Sequence, residues 1–232
     1  MKHTIRLVIL LAPACALFAQ APHRMISKYS AEDVSLNPDS GSRFWRVAPA
    51  VEIARDSFGN SVPDERTEVR SRWTKANLYL LYICHFQELN LKSGPTKETE
   101  TNYLWNWDVA EAFIGSDRQH IRRYKELEMS PQGEWVDLDI DLDNPHHEDG
   151  WKWNSGFRVA TAIDREAKIW YGVMQIPYAA VDTSEAAAGN TLRINLYRIE
   201  GPSPRRLLLA WQPTHQANFH VPESFGELTL GD

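Results

Sequence analysis

The chain is predicted to be all-β, an antiparallel β-sandwich with short helical turns, and three observations carry that reading. Apolar and polar residues alternate with a period of two. Val136, Leu138, Ile140 and Leu142 alternate with Asp137, Asp139, Asp141 and Asp143; Leu192, Ile194 and Leu196 alternate with Arg193, Asn195 and Tyr197. Strands of this kind bury one face and wet the other, the behaviour of antiparallel sheets. The apolar segments are rich in Val, Ile, Leu, Tyr and Trp and are punctuated by Gly, Pro, Asn and Asp. Helical periodicity is confined to single turns, so no crossover helices are expected.

The elements follow in chain order. Residues 1–21 read as a secretory signal peptide: Lys2 and Arg6 form a basic start, an apolar run extends from Leu7 to Phe18, and Ala19-Gln20-Ala21 fits a cleavage site. The apolar run is shorter than the roughly 20 residues of a membrane span and contains Pro13, which argues against an anchor. Cys15 lacks the preceding Leu of a lipidation site. The expected location is therefore secreted or periplasmic, with no membrane span in the mature chain. Residues 22–42, with Ser and Asp in excess, are expected to form a leading strand or arm packed onto a single domain over 43–232. Strands are expected at 67–73, 78–86, 109–114, 121–129, 134–142, 157–163, 168–176, 191–199 and 206–211. Helical turns are expected at 177–181 and 184–188.

Composition narrows the chemistry. The 232 residues are 43% hydrophobic and 24% charged, an ordinary globular balance, but they include 9 Trp against 2 Cys. The net charge of −6 argues against nucleic acid or an anionic membrane as partner. Loss of the leader removes Cys15 and leaves Cys84 alone, so no intramolecular disulfide is expected. Cys84 lies in an apolar run and reads as a buried structural thiol.

The Trp residues come in pairs, Trp105 with Trp107 and Trp151 with Trp153. In extended chain, residues two apart point the same way. Aromatic faces flanked by amides and carboxylates suit a pyranose, whose C–H face stacks while its hydroxyls take hydrogen bonds at the rim. The acidic run Asp137, Asp139, Asp141, Asp143, Glu148 and Asp149 reads better as a solvated strand face than as a calcium site; Asp141, Asp143 and Asp149 are the metal candidates within it. His146 and His147 are adjacent, and adjacent residues on a strand would point to opposite faces and chelate poorly. With His120, His215 and His220 they show no zinc-binding spacing. No nucleophile elbow, phosphate loop or dinucleotide fingerprint occurs.

A family resemblance enters on longer segments. Trp105-Asn106-Trp107-Asp108-Val109-Ala110-Glu111-Ala112-Phe113-Ile114 resembles the W-x-x-D-x-x-E-x-F-I segment of family 9 carbohydrate-binding modules. Trp73 to Tyr79 is similar to their W-x-x-x-N-L-Y opening, and Tyr124 to Gly133 to a Y-x-E-x-x-x-x-P-x-G hairpin. Trp153 to Gly156 and Ile176-Pro177 have counterparts. Trp211-Gln212-Pro213 and Asn218 to Leu228 resemble the family ending. The resemblance spans about residues 40–230.

It implies a jelly-roll-like sandwich that binds sugars of the cellulose or xylan type, often with structural calcium and no required cofactor. Two aromatic rings would sandwich a terminal sugar; Trp105 takes the first position and Phe219 stands where the family has a second Trp. Glu111 would bind a hydroxyl, with an amide from Gln216 or Asn218. Trp107 and Arg198 are further candidates. Glu128 stands where the family has a sugar-contacting Arg, leaving it to face the sugar, a metal or an Arg such as Arg122. The implied role is non-catalytic support of polysaccharide breakdown, beside a partner glycoside hydrolase. Two other readings stay open. One is a glycoside hydrolase using Glu111 with Glu126 or Asp108. The other is a haem domain of the related cytochrome-like superfamily, with Met129 or Met174 and His85 or His120 as ligands.

Overall fold

The computed structural model describes residues 24–144 and 151–232. The leader lies outside them, as do His146, His147, Glu148 and Asp149. Twelve strands are present among the described residues: β1 (Arg24–Tyr29), β2 (Ala50–Ile53), β3 (Thr67–Trp73), β4 (Asn77–His85), β5 (Val109–Gly115), β6 (Arg123–Met129), β7 (Trp135–Asp141), β8 (Arg158–Asp164), β9 (Ile169–Pro177), β10 (Thr191–Glu200), β11 (Leu207–Ala210) and β12 (Gly226–Gly231). All nine strands expected from periodicity are among them. The chain is all-β, with helical structure limited to turns such as Arg43–Arg46 and Tyr178–Val181. Among the described residues no helix is long and apolar enough to cross a membrane.

The strands join in one hydrogen-bonded path, β7-β6-β5-β10-β12-β1-β3-β4-β9-β8, with β11 beside β10 and β2 beside β3. The path turns back on itself. Tyr82 on β4 donates to the Glu111 carbonyl on β5 at 2.8 Å. A Cβ added to Gly172 on β9 would stand 2.5 Å from Met129 Cε on β6. Any side chain at 172 would have to displace Met129 and the Trp170 ring, so the two ends of this one mixed, nearly barrel-shaped sheet approach within side-chain contact. Between them lies the main core, which includes Leu80, Tyr82, Cys84, Trp170 and Met174 on one side and Ala112, Ile114, Leu127, Met129, Ile194 and Leu196 on the other.

The purely antiparallel expectation is corrected by β1. It runs parallel to both neighbours, Met25 beside Leu228 on β12 and Ser27 beside Ser71 on β3. Ser71 Oγ donates to Ser27 Oγ at 2.8 Å, both fully buried, so the polar positions of this short strand satisfy each other. The helical turn expected at 184–188 is absent. The Asp182 carboxylate instead accepts from Ser184 N, Ser184 Oγ and Tyr178 Oη, and the Asn190 amide donates to the Glu185 carbonyl, which organises an irregular loop. The solvated acidic face is corrected at one position. Asp137 is fully buried, its Oδ2 taking hydrogen bonds from Ser155 N at 2.7 Å and Ser155 Oγ at 2.5 Å.

Candidate functional site

The outward face of β7-β6-β5-β10 carries a second apolar cluster, separate from the main core. Strand parity builds it. Tyr197 pairs with Glu111, Glu111 with Glu128 and Glu128 with Val136; Phe113 pairs with Glu126 and Glu126 with Leu138. These rows put Phe113, Tyr124, Val136, Leu138, Ile140, Tyr197 and Ile199 on one face, under Leu104, Trp151 and Phe219 from the covering loops. Above that floor opens a cleft of about 560 Å³. It is lined by Trp105, Glu111, Phe113, Glu126, Trp151, Asn218, Phe219 and His220, among others, a volume in the range of small-ligand sites.

Trp105 sits on a single 3-10 turn, Leu104–Asn106, entered through Tyr103 with a left-handed φ of 61°. That conformation is uncommon for a bulky residue. The Tyr103 ring meets the Trp105 ring edge-on at 5.2 Å. Arg206 clamps the turn from below: it donates to the Trp105 carbonyl, to the Asn106 carbonyl at 2.8 Å and to the Trp107 carbonyl at 3.2 Å. Asp108 pins the end of the same segment, its carboxylate accepting from Asn90 N at 3.0 Å and Gly201 N at 2.7 Å. Burial raises the Asp108 carboxyl to about 6 against these bonds. Asp108 is thus a backbone anchor.

The far wall is the loop ahead of β12. Phe219 is buried and stacks on Tyr197, centroids 4.1 Å apart and planes at 13°. Asn218 is exposed at the mouth and its side chain accepts from His220 N at 3.0 Å. His220 Nδ1 lies 2.7 Å from Tyr124 Oη. Burial keeps that phenol protonated, so the two groups are hydrogen-bonded in either tautomer of the ring. Nε2 faces Glu126 Oε2 at 4.0 Å.

The floor holds three carboxyls. Glu111, Glu126 and Glu128 are 2%, 4% and 0% exposed. Burial raises Glu126 to about 7 against a hydrogen bond from Glu128, and burial with the neighbouring carboxyls holds Glu111 and Glu128 well above the usual range.

The other residues named from sequence fall as follows. Trp107 and Gln216 do not line the cleft; Trp107 has the Lys92 ammonium 5.9 Å from its ring centre, and Gln216 is exposed. The expectation that Trp105 and Trp107 point alike fails because the segment is a 3-10 turn, which rotates two residues apart well off one face. Trp151 is buried at the cleft and donates to the Asp141 carbonyl at 3.1 Å, while Trp153 is half-buried under the Lys125 ammonium at 4.6 Å. Arg198 stands on the opposite face of β10, fully buried. It donates to the Glu65 carbonyl, the His85 carbonyl and Thr67 Oγ1 and lies 2.9 Å from Glu200 Oε2. It does not reach the cleft.

Asp141 pairs with Arg123 at 3.2 Å and Asp143 with Arg122 at 2.6 Å; Asp149 is outside the described residues. Among the described residues no three His, Cys, Asp or Glu side chains are placed to hold a metal. Met129 and Met174 are fully buried in the main core, and His120 is exposed and paired with Asp117 at 2.7 Å. Sequence reasoning passed over Arg206, and it left Trp151, singled out as half of a Trp pair, without an assigned role. The run of Tyr124, Glu126 and Glu128 at a spacing of two was the available signal that all three share a face with Glu111.

Residues 40–232 match the family model described as Carbohydrate family 9 binding domain-like. An "Extracellular protein" of Arthroderma benhamiae is 24% identical over 192 residues, covering 75% of this chain and 84% of that one. The fold resembles a family 9 carbohydrate binding module from Caldicellulosiruptor kristjanssonii in complex with cellotriose. The TM-score is 0.65 at 13% identity, over 90% of this chain and 94% of the module. The same holds for a protein of Bacteroides uniformis ATCC 8492, with a TM-score of 0.70 at 15% identity over 90% and 100% of the two chains.

Proposed function

Since the chain belongs to the carbohydrate family 9 binding domain-like family, we propose that it is an exported, non-catalytic sugar-binding domain. Its cleft takes the end of a glucan- or xylan-type chain and holds the protein on polysaccharide while a partner glycoside hydrolase cuts. The scaffold for this is a two-layer sandwich, with the cleft on the outer face of one layer. Cleavage of the leader near Ala21 would leave Pro22 and His23 ahead of β1.

One observation carries the reading: a half-buried Trp105, held by Arg206 on a strained turn, stands at the edge of a cleft that also presents Glu111, Asn218 and Phe219. A sugar ring has an apolar face for the indole and hydroxyls for the carboxyl and amide. The hydrolase alternative is weaker on chemistry. A glycosidase needs one protonated carboxyl opposite one ionised carboxylate, with their environments pushing the two apart. Here Glu111, Glu126 and Glu128 are all pushed upward, and Asp108 spends both oxygens on backbone amides.

A single shallow site with one stacking ring should bind in the roughly micromolar to millimolar range. Isothermal titration with cello- and xylo-oligosaccharides tests this. Binding is expected, and Trp105→Ala should weaken it by tenfold or more, on the order of the energy of one stacked ring plus its buried area. Binding that survives Trp105→Ala unchanged would remove Trp105 from the site.

A further inference from the structure

The cleft floor is a concentration of buried carboxyl groups that no Lys or Arg of the described residues pairs with. Glu111 lies directly opposite Glu128 across β5 and β6, and Glu126 follows on the same face of β6. Like charges directly across a sheet are destabilising, and burying them adds to the cost. No ion pair joins a Lys or Arg to any of the three among the described residues. The nearby cations make their hydrogen bonds elsewhere: Arg206, whose charge pulls on Glu111 without pairing with it, binds the three carbonyls of the Trp105 turn, and Arg122, at the cleft, binds Asp143. His220 Nε2 stands 4.0 Å from Glu126. Both oxygens of Glu128 and Oε2 of Glu126 are buried, and no group other than these two carboxyls themselves donates a hydrogen bond to them. Glu126 and Glu111 line the cleft, so an acceptor with no donor outside the carboxyls, on a side chain 4% exposed, faces the ligand space.

We propose that the cleft selects sugars bearing a protonated amine, an amino-substituted glucan-type chain, with the ring on Trp105 and the ammonium against Glu126 and Glu111. The inference rests on the reading of this cleft as a sugar site and narrows it. An ammonium brings three donors and a positive charge, matching several acceptors at once, whereas a hydroxyl brings one donor and no charge. A bare metal ion fits less well, because no three metal-binding side chains converge among the described residues. The aromatic wall adds to the preference, since a cation gains from an indole face. The net charge of −6 draws a polyamine sugar toward the protein.

The experiment is calorimetry of the whole chain with glucosamine oligomers, N-acetylglucosamine oligomers and cello-oligosaccharides of equal length. Amine-bearing oligomers are expected to bind about tenfold or more tighter than the other two, the size of one charge-assisted hydrogen bond. Glu126→Gln should bring that ratio close to one. Because the floor carboxyls hold protons in the empty cleft, amine binding should also release protons. The measured heat will then vary with the ionisation enthalpy of the buffer, more than it does for cello-oligosaccharides. Equal affinities for the three series would overturn the amine preference and leave the sugar site standing. Absence of binding by all three would overturn both. Amine binding that persists in Trp105→Ala would mean general attraction to an acidic surface, and would also overturn the proposal.

Discussion

Arg198 shows how one residue's parity decides its role. Ile194 and Leu196 on β10 face the main core, and a strand repeats every two residues, so Arg198 faces it too. Its neighbours Tyr197 and Ile199 face the cleft. The alternation was legible in the sequence; which face carried the site was not, because that depends on the register of β10 against β5. Arg198 is instead half of a buried ion pair with Glu200, whose carboxyl burial raises to about 7 against the pull of the guanidinium. Removing one partner of such a pair costs more than replacing both. Arg198→Met should therefore lose about 3–5 kcal/mol of stability, and Arg198→Met with Glu200→Gln distinctly less. Urea denaturation of the two variants measures the difference; equal losses would show that the pair is not coupled.

At the scale of the element, the turn that carries Trp105 is the part the sequence could not display. Trp105, Glu111 and Phe219 were named from their motif, and the cleft brings them together with Asn218. The 3-10 geometry that separates Trp107 from Trp105 has no periodic signal, and the residue that fixes it, Arg206, is 99 positions from Trp107 in sequence. The half-buried guanidinium satisfies carbonyls that would otherwise be left without donors. Arg206→Leu should thus weaken oligosaccharide binding by about tenfold or more through a loosened turn, with the Trp105 ring less ordered. Near-ultraviolet circular dichroism together with titration checks this. Weakened binding with an unchanged aromatic spectrum would argue for a direct electrostatic effect instead. The helical turn wrongly expected at 184–188 has a similar origin: alanines at 186–188 favour helix, but the Asp182 carboxylate bonds Ser184 more strongly than a short helix could compensate.

Across the whole molecule, the buried carboxyls set the response to pH. Glu111, Glu126, Glu128, Asp108 and Glu200 all bind protons more tightly in the folded chain than in an unfolded one. Unfolding therefore releases protons above the unfolded values, near 4, and stability falls as pH rises toward the folded ones, about 6 for Asp108 and about 7 for Glu126 and Glu200. Other carboxyls act in the opposite sense. Burial raises Asp33, but hydrogen bonds from Thr74, Asn77 and Tyr79 bring it below its ordinary value. The Arg118 hydrogen bond does the same for Glu227. Their contribution is lost below about pH 4. The thermal midpoint should peak near about pH 5 and decline on both sides. A midpoint that is flat from about pH 5 to 8 would show that the buried carboxyls ionise without cost.

The placement of β1 has a consequence in time. The strand that links the two arms of the sheet comes from the first described residues and lies beside the last strand, with Arg24 and Glu227 203 positions apart. A ribosome delivers those two segments about two hundred residues apart. Until β12 emerges, β1 lacks the neighbour on one side and the sheet stays in two pieces. Closing so long a loop is slow, as non-local pairings generally are. The sheet is therefore joined late in synthesis, and its earlier strands wait on β12 for their link to the other arm.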